Sequence, residues 1–127
     1  MRFDLNNLNP GTWIDIDECQ PQLGALCLRV LNDDTRRKLE AKHTIRKFVR
    51  GRQVETLNDS AFNADMWDYC IVDWKNICDA EGNQISCTAM NKALLMAESP
   101  VFTSLVSDLL DQLNSVLKER AEEAEKN

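Results

Sequence analysis

Apolar positions along the chain repeat at three- and four-residue steps in its second half and at two-residue steps near its start. The first pattern belongs to helices and the second to strands. The richest stretch, residues 66–88, holds two of the three tryptophans, the single tyrosine and three of the five cysteines. Phe62, Met66, Cys70, Trp74 and Ile77 follow helical spacing down one face, and Trp67, Ile71, Trp74 and Cys78 line an overlapping one. Only Asp68, Lys75 and Asn76, with Asp73 nearby, leave a polar strip. The spacing therefore predicts a central helix, apolar nearly all round, packed on several sides. Asn58, Asp59 and Ser60 supply its N-cap, and Gly82 with Asn83 turns the chain after it. Burying one indole removes roughly 150–250 Å² from water. At about 25 cal/mol per Å² this outweighs any single hydrogen bond.

Around that centre the pattern predicts the remaining elements. Ile14 and Ile16 alternate with acidic neighbours over 13–17, and Leu26, Leu28 and Val30 alternate over 25–30. Two strands and a small antiparallel hairpin follow, and a two-stranded unit needs helices or another subunit to rest on. Asn32, Asp33 and Asp34 cap a helix over about 33–44, with acidic residues first and basic residues last, as the helix dipole favours. Residues 46–57 read as a variable loop around Gly51. Residues 79–83 form a turn, 84–87 a short extended arm, and Thr88 caps a helix over 89–97. Ser99 with Pro100 starts the last helix, about 100–120. Its stripe comprises Phe102, Leu105, Val106, Leu109, Leu110, Leu113, Val116 and Leu117. The fold class expected is mainly α (α+β): about four helices with a small N-terminal antiparallel β-hairpin. The length of 127 residues suits one domain, 1–127, with an arm and hairpin over 1–31, a helical body over 32–120 and a frayed tail over 121–127.

Composition narrows the chemistry. The chain has no apolar run of membrane-spanning length and no signal-peptide pattern at its start, so a cytoplasmic protein is expected. Five cysteines at 19, 27, 70, 78 and 87 contain no Cys-x-x-Cys pair, and one histidine, His43, accompanies them. The spacing fits no standard zinc module, so the cysteines read as small buried hydrophobes. The Asp79–Gly82 region resembles a calcium loop only superficially. Its glycine falls at the fourth loop position, and Met90 stands where a bidentate carboxylate is needed. No nucleophile elbow or phosphate-cradling glycine loop is present, and Asp68 and Asp73 lie roughly 140° apart around a helix. No catalytic residue, cofactor or metal is expected.

The net charge of −6 disfavours general nucleic-acid binding, yet eight of fifteen Lys and Arg fall within 36–52. Such a run is ordinarily a solvated face, and His43 within it reads as exposed. The sharper reading is an acidic partner surface, with a small nucleic-acid-associated or regulatory protein as the alternative function for this segment.

The central stretch resembles the tail assembly chaperones of tailed phages and prophages. The likeness rests on Ile71, Val72, Asp73 and Trp74, on the 79–83 turn, on Ile85, Ser86, Cys87 and Thr88, and on Asn91, Lys92, Ala93, Leu94 and Leu95. The opening from Leu8 to Trp13, the two predicted strands and the basic stretch after them are similar as well. The resemblance covers most of the chain in order. It implies a non-enzymatic protein of the host cytoplasm that binds the tape measure protein and helps recruit tail tube subunits. Residue pattern, rather than any family motif, points to Leu105, Leu109 and Leu113 as the floor of a client groove. Arg36, Arg37, Lys42, Arg46 and Lys47 would form its charged rim. The hairpin edge and the long last helix both permit a homo-oligomer.

Overall fold

The computed structural model describes residues 2–126, with side chains as far as residue 123. Four α-helices and two small antiparallel sheets give an α+β fold. The first sheet contains β1 (Thr12–Asp15), β2 (Ala25–Leu28) and β5 (Ile71–Lys75), in the order β1-β2-β5. Leu26 and Leu28 pair with Trp74 and Ile71 of β5, while Cys27 pairs with Trp13 and Asp73. The predicted N-terminal hairpin is present, and its second strand is the buried centre of a three-stranded sheet.

The central helix differs from its expected form. α2 (Asp59–Cys70) ends before Ile71, and the chain continues as strand β5. The register shifts between Cys27 and Leu28, leaving Val72 as an extra residue on β5. That bulge turns Ile71 and Trp74 to the same face although they are three apart, so a bulged strand carries helix-like spacing. The β-branched pair Ile71-Val72 favours the extended form there. Arg29 N–H donates to the Cys70 carbonyl at 2.9 Å, which starts the ladder where the helix ends.

A second difference lies in the basic region. α1 (Asp33–His43) is followed directly by β3 (Thr44–Val49) and β4 (Arg52–Leu57), so residues 46–57 are a hairpin rather than a loop. Its two-residue connection is Arg50-Gly51, with φ of 54° and 78°. Two successive positive φ values make the mirror-image turn that suits strand twist. Arginine stands where asparagine would advertise that turn.

The last two helices, α3 (Ala89–Glu98) and α4 (Pro100–Lys126), follow the expected caps. Thr88 Oγ1 accepts from Asn91 N–H at 3.2 Å, and Ser99 Oγ accepts from Phe102 N–H at 3.2 Å. α4 runs on past residue 120 to Lys126, and Asn127 lies outside the described residues. The core joins the sheet to these helices through Leu26, Leu28, Ile71, Trp74, Met96, Phe102, Val106, Leu109 and Leu113. Trp74 meets Phe102 edge to face with ring centroids 5.9 Å apart, and its indole N–H donates to the Ile85 carbonyl at 2.7 Å.

The 79–83 turn is held by Asp79, whose Oδ1 accepts from Glu81 and Asn83 N–H at 3.0 and 2.9 Å. Near the N-terminus, Asn9 Nδ2 donates to the Val30 carbonyl and to Tyr69 Oη, both at 3.0 Å. The Arg29 guanidinium lies 3.8 Å over the Tyr69 ring and donates to the Tyr69 carbonyl at 2.6 Å. Among the described residues, no single helix is long and apolar enough to cross a membrane.

Candidate partner-binding site

Two clefts share one wall, the half-buried indole of Trp67 on α2. The first, about 230 Å³, lies beside α4 and is lined by Val30, Leu31, Arg36, Met66, Trp67 and Leu110, among others. The second, about 270 Å³, lies between α2 and α3, where Ser60 and Ala64 face Ala93, Met96 and Ala97 across Trp67. Small side chains keep the second cleft open, and aliphatic ones make the first apolar. Both are smaller than the roughly 300–1,000 Å³ of a ligand pocket. They suit single side chains projecting from another polypeptide.

A cleft does lie beside the last helix, but Leu105, Leu109 and Leu113 do not line it. Leu109 and Leu113 are 5% and 7% exposed and belong to the core, with Leu105 packed against it. The exposed flank is turned by one residue, which brings Leu110 and Asn114 to the first cleft. One step along a helix rotates a side chain by about 100°, and a broad apolar stripe conceals which flank is covered.

The charged rim is likewise dispersed. Arg36 lines the first cleft, alongside Asp111 of α4. Arg37 is exposed on α1. Lys42 Nζ lies 2.9 Å from Asp65 Oδ2 on α2, and His43 Nε2 lies 2.6 Å from the same oxygen. His43 is thus packed between α1 and α2 rather than exposed. These hydrogen bonds, Lys42 first and His43 second, hold the Asp65 carboxyl below the usual carboxylate range. Arg46 lies 3.3 Å from Glu55 within the β3–β4 hairpin, and Lys47 occupies the opposite face of that hairpin.

Three of the five thiols are placed for packing and two are not, against the expectation that all five are small buried hydrophobes. Cys27 and Cys70 are buried, Cys87 is half-buried, and Cys19 and Cys78 are exposed. Burial pushes the Cys70 thiol up to about 11 and raises those of Cys27 and Cys87 as well. Among the described residues, no group of three or more His, Cys, Asp and Glu side chains is arranged to hold a metal ion.

One polar feature lay outside the sequence reading. Lys92 is buried, and its Nζ donates to Asp68 Oδ1 at 3.1 Å and to the Asp68 carbonyl at 3.3 Å. A lysine between Asn91 and Ala93 on an amphipathic helix gives no sign of burial; its position facing α2 does. The chain matches no protein-family model, no curated protein and no solved structure.

Proposed function

We propose that this protein is a non-enzymatic assembly factor of the tail assembly chaperone kind, working in the host cytoplasm. It grips apolar helical segments of a tape measure protein and helps bring tail tube subunits to it. The observation that supports this reading best is the pair of clefts around Trp67, each sized for a projecting side chain. A client helix would set apolar residues of one face into them, as amphipathic helices do in hydrophobic grooves. Arg36 and Asp111 beside the first cleft would add polar contacts around the client's apolar anchor. The resemblance of the central stretch supplies the client class.

Co-expression with a tape measure protein from the same genome tests the reading. The client is expected in the soluble fraction with the wild-type chain and in the pellet with a Leu110→Asp, Arg36→Glu double variant. Equal client solubility with and without the chain removes the proposal. A genome in which no tape measure gene neighbours this one also counts against it.

A further inference from the structure

The β3–β4 hairpin offers a surface separate from the Trp67 clefts. Among the described residues each strand pairs only with the other, so both outer edges present backbone groups open to a further strand. Residues in register alternate between two faces. One face gathers Ile45, Lys47 and Val49 of β3 with Thr56, Val54 and Arg52 of β4. Its three aliphatic side chains are 38%, 51% and 40% exposed for Ile45, Val49 and Val54. The other face carries Phe48, 80% exposed, and the Arg46–Glu55 pair.

We propose that the β3 edge takes an extended strand of a partner polypeptide with the pattern apolar-x-acidic-x-apolar. The register sets this chemistry. Ile45, Lys47 and Val49 lie along one face of the edge strand, so a third strand must set an apolar, an acidic and an apolar residue beside them. An isolated two-stranded hairpin is marginal in water, and a third strand would complete it.

Charge separates the other occupants. The hairpin carries Arg46, Lys47, Arg50 and Arg52 against Glu55 alone, so a second copy would bring cations against cations. On that face β4 sets Arg52, Val54 and Thr56, whereas β3 sets a cation, Lys47, between two aliphatics, which makes β3 the edge for an acidic strand. A nucleic acid would use the cations but would leave three β-branched aliphatics uncovered, and the chain as a whole is acidic at −6. The proposal does not depend on the identity of the client at the clefts.

The test uses the full ¹⁵N-labelled chain and a synthetic peptide of pattern Val-Thr-Glu-Thr-Val flanked by serines. Amide shifts over 44–49 are expected, weakening as salt rises. Lys47→Glu should lower the affinity by about tenfold or more, and the same peptide with Lys in place of Glu should restore it to that variant. Backbone dispersion of the variant's hairpin amides checks that it still folds. Shifts absent from 44–49, affinity unchanged in Lys47→Glu, or failure of the swapped peptide to rescue it would each overturn the proposal. So would a DNA duplex that moves the hairpin amides while the peptide leaves them unmoved.

Discussion

Trp74 and Trp67 lie seven residues apart and do different work. Trp74 is enclosed by the sheet and α4, with its N–H committed to Ile85. Trp74→Ala should lower stability by about 3–5 kcal/mol in urea unfolding, the range for a large aromatic lost from a core. Trp67 is half-buried between two clefts, so its loss should cost less stability. Lys92 makes an asymmetric prediction. Asp68→Ala leaves a buried ammonium with only a backbone carbonyl, whereas Lys92→Met removes the charge and keeps the volume. Thermal unfolding should show the aspartate variant as the less stable of the two. Thiol labelling of the folded chain should be fast at Cys19 and Cys78 and slow at Cys27, Cys70 and Cys87 until denaturant is added. The three slow thiols have raised folded-state pKa values. Their contribution to stability is full below the ordinary thiol value, about 8.5. For Cys70 it fades as pH climbs toward its folded value of about 11.

At the scale of elements, caps and turns were legible because their chemistry is local. Thr88, Ser99 and Asn58 each cap the helix their position predicted, and Asp79 holds its turn through its own carboxylate. The strand defined by long-range pairing, β5, was not legible. Within 66–78 only the β-branched pair Ile71-Val72 favours a strand, and the helix-like spacing of Ile71 and Trp74, which the bulge at Val72 creates, masks it; β2, more than forty residues earlier, decides it. The β3–β4 hairpin was hidden by its charges, since Arg46, Lys47, Arg50 and Arg52 dominate a stretch whose Ile45, Val49 and Val54 alternate in register. The residues that carry the family resemblance do structural work. Asp73 Oδ1 accepts from Trp74 N–H at 2.8 Å, and Asn91 Nδ2 donates to the Ser86 carbonyl at 2.9 Å. Gly24 shows how closely β2 and β5 approach: its φ is +120°, and an added Cβ would stand 2.5 Å from the Lys75 carbonyl oxygen. Gly24→Ala should therefore destabilise by more than about 1 kcal/mol, read as a lowered urea midpoint.

For the whole molecule, charge and packing are divided between regions. The acidic chain concentrates its cations on α1 and the β3–β4 hairpin, and Asp65 ties the end of α1 to α2 through Lys42 and His43. Because the Asp65 pKa is lowered on folding, its contribution is full above the ordinary carboxylate value, about 3.9. It is lost as pH falls through the lower folded value, so Asp65→Asn should flatten the acid limb of the stability curve. The clefts on either side of Trp67 are the proposed grip on a client, and the three indole N–H resonances report on them separately. Trp13 is on β1 with the Lys75 ammonium over its ring at 4.4 Å, Trp74 is in the core, and Trp67 borders both clefts. Titrating the labelled chain with helical peptides that tile the proposed tape measure client is the most direct measurement. At least one peptide should shift the Trp67 indole resonance while leaving that of Trp74 in place; saturating peptides that leave Trp67 unmoved would contradict the account.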